Sequence, residues 1–274
     1  MTWTAVPELI AGAAPGALGA FNVIALEHAE AIAAAAESAK RPAILQISEN
    51  TVAYHGGLKP LARACLQIAA DSSAPLAVHL DHATSHELIT TAVEVGIRSV
   101  MYDGSTLDYA ENVAETARIA RWCHDRGVFV EAELGKIGGK DGAHAPGVRT
   151  DPDEAVAFVA ATGVDALAVA VGSSHAMHTR DAQLDDGLIA RLALKVPVPL
   201  VLHGSSGVPD EGLRAAVRHG MTKINIATRL NIVLAQSVRA ELSAHPALSD
   251  PRGYLGPGRT AVQHEVEHLL RVLG

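Results

Sequence analysis

The sequence predicts an α/β fold, a single-domain (β/α)₈ TIM barrel spanning residues 1–274, and three observations carry that prediction. Short apolar runs alternate with Ala-rich helical patterns along the chain, the arrangement that builds parallel sheets. Eight such runs follow one another with no linker between them, which argues for a closed barrel over an open sheet. The length of 274 residues suits one barrel of this kind, typically about 250 residues. An open doubly wound sheet is the structural rival.

The expected strands are, in order, Ala20–Val23, Ala43–Ile47, Leu76–Leu80, Ser99–Tyr102, Phe129–Glu133, Ala166–Val171, Pro199–Leu202 and Lys223–Ile226. Helical patterns lie between them at Glu27–Lys40, Leu58–Asp71, Ser85–Val95, Asn112–Asp125 and Asp153–Thr162. Helix start signals recur at Asp108, at Asp151-Pro152 and at Pro209-Asp210, where a carboxylate or proline suits the first turn. The Gly-rich stretch 135–150 follows the fifth strand and reads as a mobile lid. Residues 245–274 form a C-terminal extension: a Pro- and Gly-rich segment, His245–Gly258, and then a last helix, Thr260–Leu273.

Composition narrows the partners. Hydrophobic residues make up 49% and aromatics only 3%, so small aliphatic side chains dominate, as suits helices packed on a parallel sheet. A formal net charge of −8, with no basic stripe, argues against nucleic acid and against a membrane surface. No apolar stretch reaches the roughly 18 residues that span a bilayer, and the first residues lack a signal-peptide pattern. Cys65 and Cys123 stand far apart and outside any CxxC spacing, so they read as buried thiols of a cytoplasmic protein.

In a barrel of this kind the site lies at the C-terminal ends of the strands. Those ends carry Asn22, Ser48, Asn50, His79-Leu80-Asp81-His82, Asp103, Glu131-Ala132-Glu133, Gly172-Ser173-Ser174-His175, His203-Gly204-Ser205-Ser206-Gly207 and Asn225-Ile226-Ala227-Thr228. The strand interiors read as almost wholly apolar, so the asymmetry itself marks a site. His82, His175 and His203 come from three separate strand ends. Three imidazoles with one open position fit catalytic zinc. Of the fourteen histidines, these three share the strand-end position with neighbouring Gly and Ser. The turn Gly204–Gly207, followed by Asn225–Thr228, fits a phosphate cradle of backbone N–H groups and hydroxyls.

These segments resemble the class II, metal-dependent fructose- and tagatose-bisphosphate aldolase family, and the shorter, tagatose-bisphosphate-like branch in particular. The resemblance runs through Phe21-Asn22, His79–Ala83, Asp103–Ser105, Glu131–Gly139, Gly172–His178, Val201–Glu211 and Thr222–Thr228. It implies cleavage of a ketose 1,6-bisphosphate to dihydroxyacetone phosphate and an aldehyde phosphate. One Zn²⁺ would be held by His82, His175 and His203 and act as a Lewis acid. Asp81 would move the hydroxyl proton, given an environment that raises its pKa. Asp103 and Glu133 match a second metal position, or orient the ligands. Asn22, Ser48, Gly204, Ser206, Asn225 and Thr228 would bind substrate, and Arg252 would reach the far phosphate from a neighbouring subunit of a homodimer or homotetramer. A monovalent cation, Na⁺ or K⁺, accompanies the phosphate in the family.

The sequence departs from the family pattern in the lid. Gly138-Gly139 is followed by Lys140-Asp141 where a glutamate is usual, so Asp141 stands as the base for the carbon-bound proton. Ala176 and Ala227 are further differences. Other ketose phosphates, including deoxy-keto-gluconate and sulfosugar phosphates, and a non-catalytic sugar-phosphate-binding subunit are the alternatives. A Schiff-base mechanism through Lys223 or Lys136 is disfavoured, because Lys223 opens its strand and is expected at the far end of the barrel.

Overall fold

Eight parallel strands close on themselves in chain order: β1 (Leu18–Asn22), β2 (Ala43–Ser48), β3 (Leu76–Ala83), β4 (Ser99–Tyr102), β5 (Phe129–Glu133), β6 (Ala166–Ala168), β7 (Leu200–Leu202) and β8 (Met221–Ile226). The last strand pairs with the first, from Leu18 opposite Lys223 to Phe21 opposite Ile226. The structure is a computed structural model and describes residues 4–134, 149–174, 177 and 179–274.

Helices cover the outside: α1 (Val6–Ala13), α2 (Leu26–Ala39), α3 (Glu49–His55), α4 (Lys59–Asp71), α5 (His86–Val95), α6 (Tyr109–His124), α7 (Pro152–Thr162), α8 (Asp186–Lys195), α9 (Asp210–Arg218), α10 (Thr228–Ala244) and α11 (Pro251–Val272). Their starts are chemically marked. Ser85 caps α5, Asp108 caps α6, and Asp151 accepts from two backbone N–H groups of α7. Each satisfies donors that the first helical turn leaves open. Among the described residues no helix is long and apolar enough to cross a membrane.

Two stretches differ from expectation. The last helix begins at Pro251 rather than Thr260, because Asp250 caps it and proline suits a first turn; Pro257 then lies inside the helix. The Pro and Gly content that reads as loop is thus absorbed into α11. Helix α10 was hidden by its mixed polarity, for Leu230 is its one fully buried side chain. The anticipated lid, 135–150, lies outside the described residues except for Arg149 and Thr150.

Strand alternation sorts side chains into two sets. One set, including Phe21, Leu45, Leu80, Val130, Leu167, Leu202 and Ile224, packs outward against the helices in the main core. The other fills the lumen. At the bottom, Leu18, Ala20, Ile44 and Ala77 pack with Val6 and Leu9 of α1, which plugs that end. On β6 the lumen-facing residues are Ala166 and Ala168, continued by Ala170, grouped with Val201 and Phe129.

The middle of the lumen is polar, contrary to the apolar interiors expected. Gln46, His79, Glu131 and Lys223 are all buried there. Lys223 is the clearest correction. It is the third residue of β8 and alternates with Asn225, so its side chain enters the lumen just below the site. Its ammonium lies 2.7 Å from Glu131 Oε2 and 3.3 Å from Gln46 Oε1.

Candidate active site

Alternation alone would send Asp81 and His82 to opposite faces of β3. A register shift between Leu80 and Ala83 prevents this, and His82 takes a left-handed φ of 54°. Such a backbone is costly for a residue with a Cβ and persists only where its surroundings enforce it. Its effect is to turn the His82 imidazole back to the barrel mouth beside Asp81, with Nε2 3.8 Å from Asp81 Oδ2.

His82 and His203 then face each other. His82 Nδ1–H donates to Asp103 Oδ2 at 2.8 Å. His203 Nε2–H donates to Glu131 Oε1 at 2.9 Å. With those nitrogens committed to carboxylates, the other ring nitrogens, His82 Nε2 and His203 Nδ1, face each other 3.2 Å apart. Two ring nitrogens at that distance share either a proton or a metal ion. Zinc bound to two imidazoles at 2.0–2.1 Å in tetrahedral geometry separates the nitrogens by about 3.3 Å. The donor set therefore fits zinc. Ligand atoms of Asp81, His82 and His203 lie within 4.8 Å of one another, as do those of His82, Asp103 and Glu133.

Carboxylates surround this pair. Asp103 Oδ1 also accepts from the Ser105 backbone N–H and hydroxyl, so Asp103 is braced while it holds His82. Glu133 Oε2 lies 3.8 Å from His82 Nδ1 and 4.0 Å from His203 Nδ1.

The electrostatics follow from burial. Burial pushes the His203 pKa down, which keeps its ring neutral and able to ligate. Burial and the Lys223 charge lower that of His79 to about 3. For Glu131, burial acts upward but Lys223 and the His203 hydrogen bond outweigh it, so the carboxyl is held well below its ordinary range. Asp81 departs from expectation. Burial pushes its pKa up, yet the nearby imidazoles His82 and His203 dominate, and the net shift is downward. The direction is thus the reverse of the raised pKa expected for Asp81.

A cavity of about 470 Å³ opens at this end of the barrel. Of the residues expected to bind substrate, Asn22, Ser48, Gly204, Ser206, Asn225 and Thr228 line it, together with Asp81, His82 and His203. Asn225 is 7% exposed, and neither polar atom of its side chain has a partner among the described residues. Gly204 adopts φ 64°, and a Cβ there would come within 2.6 Å of the Ser174 backbone, so only glycine fits. Ser206 Oγ accepts from the backbone N–H groups of Ala227 and Arg229 and ties the β7 turn to the start of α10.

One expected residue, Arg252, is not brought to this cavity, and two lie outside the described residues. His175 and Asp141 lie outside the described residues. Arg252 is off the cavity wall; its side chain is 90% exposed and pairs with Asp250. The cavity also has walls that sequence reasoning left out. Gln46 lines it, and so do Thr51 and Tyr54 of α3 and Asn231 of α10. Gln46 alternates with Ile44 and Ser48, so strand periodicity carried its signal.

Comparison with known proteins adds a lineage. The family profile described as fructose-bisphosphate aldolase class-II matches residues 9–274. A curated protein named fructose-bisphosphate aldolase, from Geobacillus stearothermophilus, is 38% identical over 280 aligned residues, covering 100% of this chain and 98% of its own. A Thermus caldophilus protein of the same name is also 38% identical, covering 94% of this chain and 92% of its own. Among solved structures, the YdjI aldolase of Escherichia coli K12 superposes with a TM-score of 0.86 at 30% identity, covering 100% of this chain and 98% of that one.

Proposed function

Because the chain belongs to the class II fructose-bisphosphate aldolase family, and is therefore a carbon–carbon lyase, we propose that it cleaves a ketose 1,6-bisphosphate to dihydroxyacetone phosphate and an aldehyde phosphate. Fructose and tagatose bisphosphates are the substrates in view, and the names of the two relatives favour fructose. One observation carries the reading: the opposed His82 Nε2 and His203 Nδ1, 3.2 Å apart beside a buried Asp81.

His82, His203 and, outside the described residues, His175 would hold one zinc ion. When bound, zinc polarises the substrate's ketone and makes the neighbouring C–H acidic. The chain's own residues do the rest. In cleavage, the Asp81 carboxylate takes the C4 hydroxyl proton, a role its place on the cavity wall beside His82 supports. Asp103 and Glu131 hold the two imidazoles in the tautomers that present Nε2 and Nδ1 to the ion. Glu133 borders the same gap and is the natural alternative ligand. Asn22 and Asn225 bind the triose. Its phosphate sits on Gly204, Ser206 and Thr228, at the start of α10, where the positive end of the helix dipole favours an anion. A Na⁺ or K⁺ ion beside that phosphate belongs to the same reading. Asp141 is the group assigned to the carbon-bound proton. The exposure of Arg252 supports service to a neighbouring subunit, hence a homodimer or homotetramer; a cytoplasmic location belongs to the same reading.

The test is cleavage of a panel of ketose phosphates, with EDTA and then with zinc restored. Metal-dependent release of dihydroxyacetone phosphate is expected, with fructose 1,6-bisphosphate among the best substrates. Activity that survives EDTA but not borohydride would replace this reading with a Schiff base. Bound zinc with no turnover on any substrate would leave a binding subunit.

A further inference from the structure

We propose that Lys223 is a positioning residue whose single ammonium orients both the metal-facing imidazole of His203 and the substrate-facing amide of Asn22. The inference rests on the aldolase reading above for what those two groups do, and on geometry for how they are held.

Lys223 is 1% exposed and sits centrally in the lumen, where two chains of hydrogen bonds begin. One runs from Nζ to Glu131 Oε2 at 2.7 Å, and Glu131 Oε1 accepts from His203 Nε2–H at 2.9 Å. The other runs from Nζ to Gln46 Oε1 at 3.3 Å, and Gln46 Nε2 donates to Asn22 Oδ1 at 2.9 Å. An ammonium can only donate, so it dictates the sense of every later bond. Along the first chain, the carboxylate must accept from His203. That places the proton on Nε2 and turns Nδ1 toward His82. Along the second, the Gln46 amide must turn its oxygen to Lys223 and its nitrogen to Asn22. The Asn22 oxygen is then occupied, and its NH₂ group faces the cavity as a donor.

A methionine has nearly the volume and reach of lysine but donates nothing, so it separates this role from packing. In Lys223→Met the Gln46 amide is free to flip, and the Glu131 carboxylate loses its buried counter-charge. The expected result has two parts. Zinc affinity, read by competition with a chromogenic chelator, falls ~10–100-fold, as when the partner of a metal-bound histidine is lost. At saturating zinc the KM for the ketose bisphosphate also rises several-fold, out of proportion to kcat, and the visible spectrum of the cobalt-substituted protein shifts. Gln46→Leu cuts one chain only and should raise KM while leaving zinc affinity within two-fold. Glu131→Gln cuts the other and should weaken zinc binding first.

Lys223→Met with zinc affinity, KM and cobalt spectrum all near wild type would overturn the proposal, whatever happens to thermal stability. If Lys223→Met does not fold, the two single-chain variants carry the test. The two single-chain variants must still split as stated, and loss of stability alone in both would sink the idea. Should the wild-type protein cleave no ketose bisphosphate, the function reading fails. The zinc and cobalt measurements then still decide whether Lys223 positions His203.

Discussion

His82 and His203 meet edge to face at the barrel mouth, with ring centroids 4.8 Å apart and interplanar angle 80°. Each is pinned from behind by a carboxylate, so the nitrogens left facing one another have no freedom to turn away. His203→Ala removes one of these two and should reduce bound zinc from one ion per chain to almost none after dialysis. Metal analysis decides it; unchanged stoichiometry would take His203 out of the ligand set.

Asp81 touches neither ring at hydrogen-bond distance, for its nearest approach to His82 is 3.8 Å. Asp81→Ala should therefore keep zinc while losing most turnover, ~10²–10⁴-fold for a missing proton-transfer group. Near-normal kcat in that variant would exclude Asp81 from the chemistry.

Asp103→Ala takes away the acceptor for His82 Nδ1–H but leaves the ligating nitrogen in place. Zinc affinity should drop ~10–100-fold with the circular dichroism spectrum unchanged. A wild-type affinity would mean that the strained backbone at His82 is enough to orient the ring.

Gly204→Ala forces a Cβ against the Ser174 backbone at a left-handed φ. The conformational penalty alone is ~1–2 kcal/mol, or a Tm loss of roughly 2–8 °C for a chain of this size. Inhibition by inorganic phosphate should weaken as the β7 turn shifts. If Tm and phosphate inhibition both hold, the turn has room that the structure does not indicate.

Cys65 and Cys123 are both free and buried, and burial pushes each thiol up to about 12. At pH 8 only about one thiol in 10⁴ is then the reactive thiolate. Native protein should resist a thiol reagent such as DTNB until denaturant is added, then release two equivalents. Rapid labelling without denaturant would contradict this burial.

Much of the barrel was legible because its signals are local. Alternating strands and capped helices repeat with fixed periods, and polar groups gather at strand ends whatever the tertiary detail. His82, His203, Asp81 and the Gly204 turn were legible for that reason. Lys223 was misjudged because strand bounds fix depth in the lumen, and β8 begins two residues before the apolar run suggested. The direction of the Asp81 shift was illegible too. It depends on His203 from another strand, and no spacing along the chain reports that distance. The start of α11 was missed because proline and glycine signal a break unless a cap such as Asp250 precedes them.

The alanines on the inner face of β6 have a corollary for how this sequence can change. Lys223 spans from β8 to Glu131 on β5, and so competes for lumen volume with whatever the intervening strands project. Ala166, Ala168 and Ala170 project almost nothing. Ala166 stands opposite Glu131 in the ladder, so a larger residue there is expected to crowd the Glu131–Lys223 pair. These positions are thus locked together by shared space rather than contact along the chain. Drift at one is tolerated only with a matching exchange at the other, and a designer who redraws the loops above can leave both untouched.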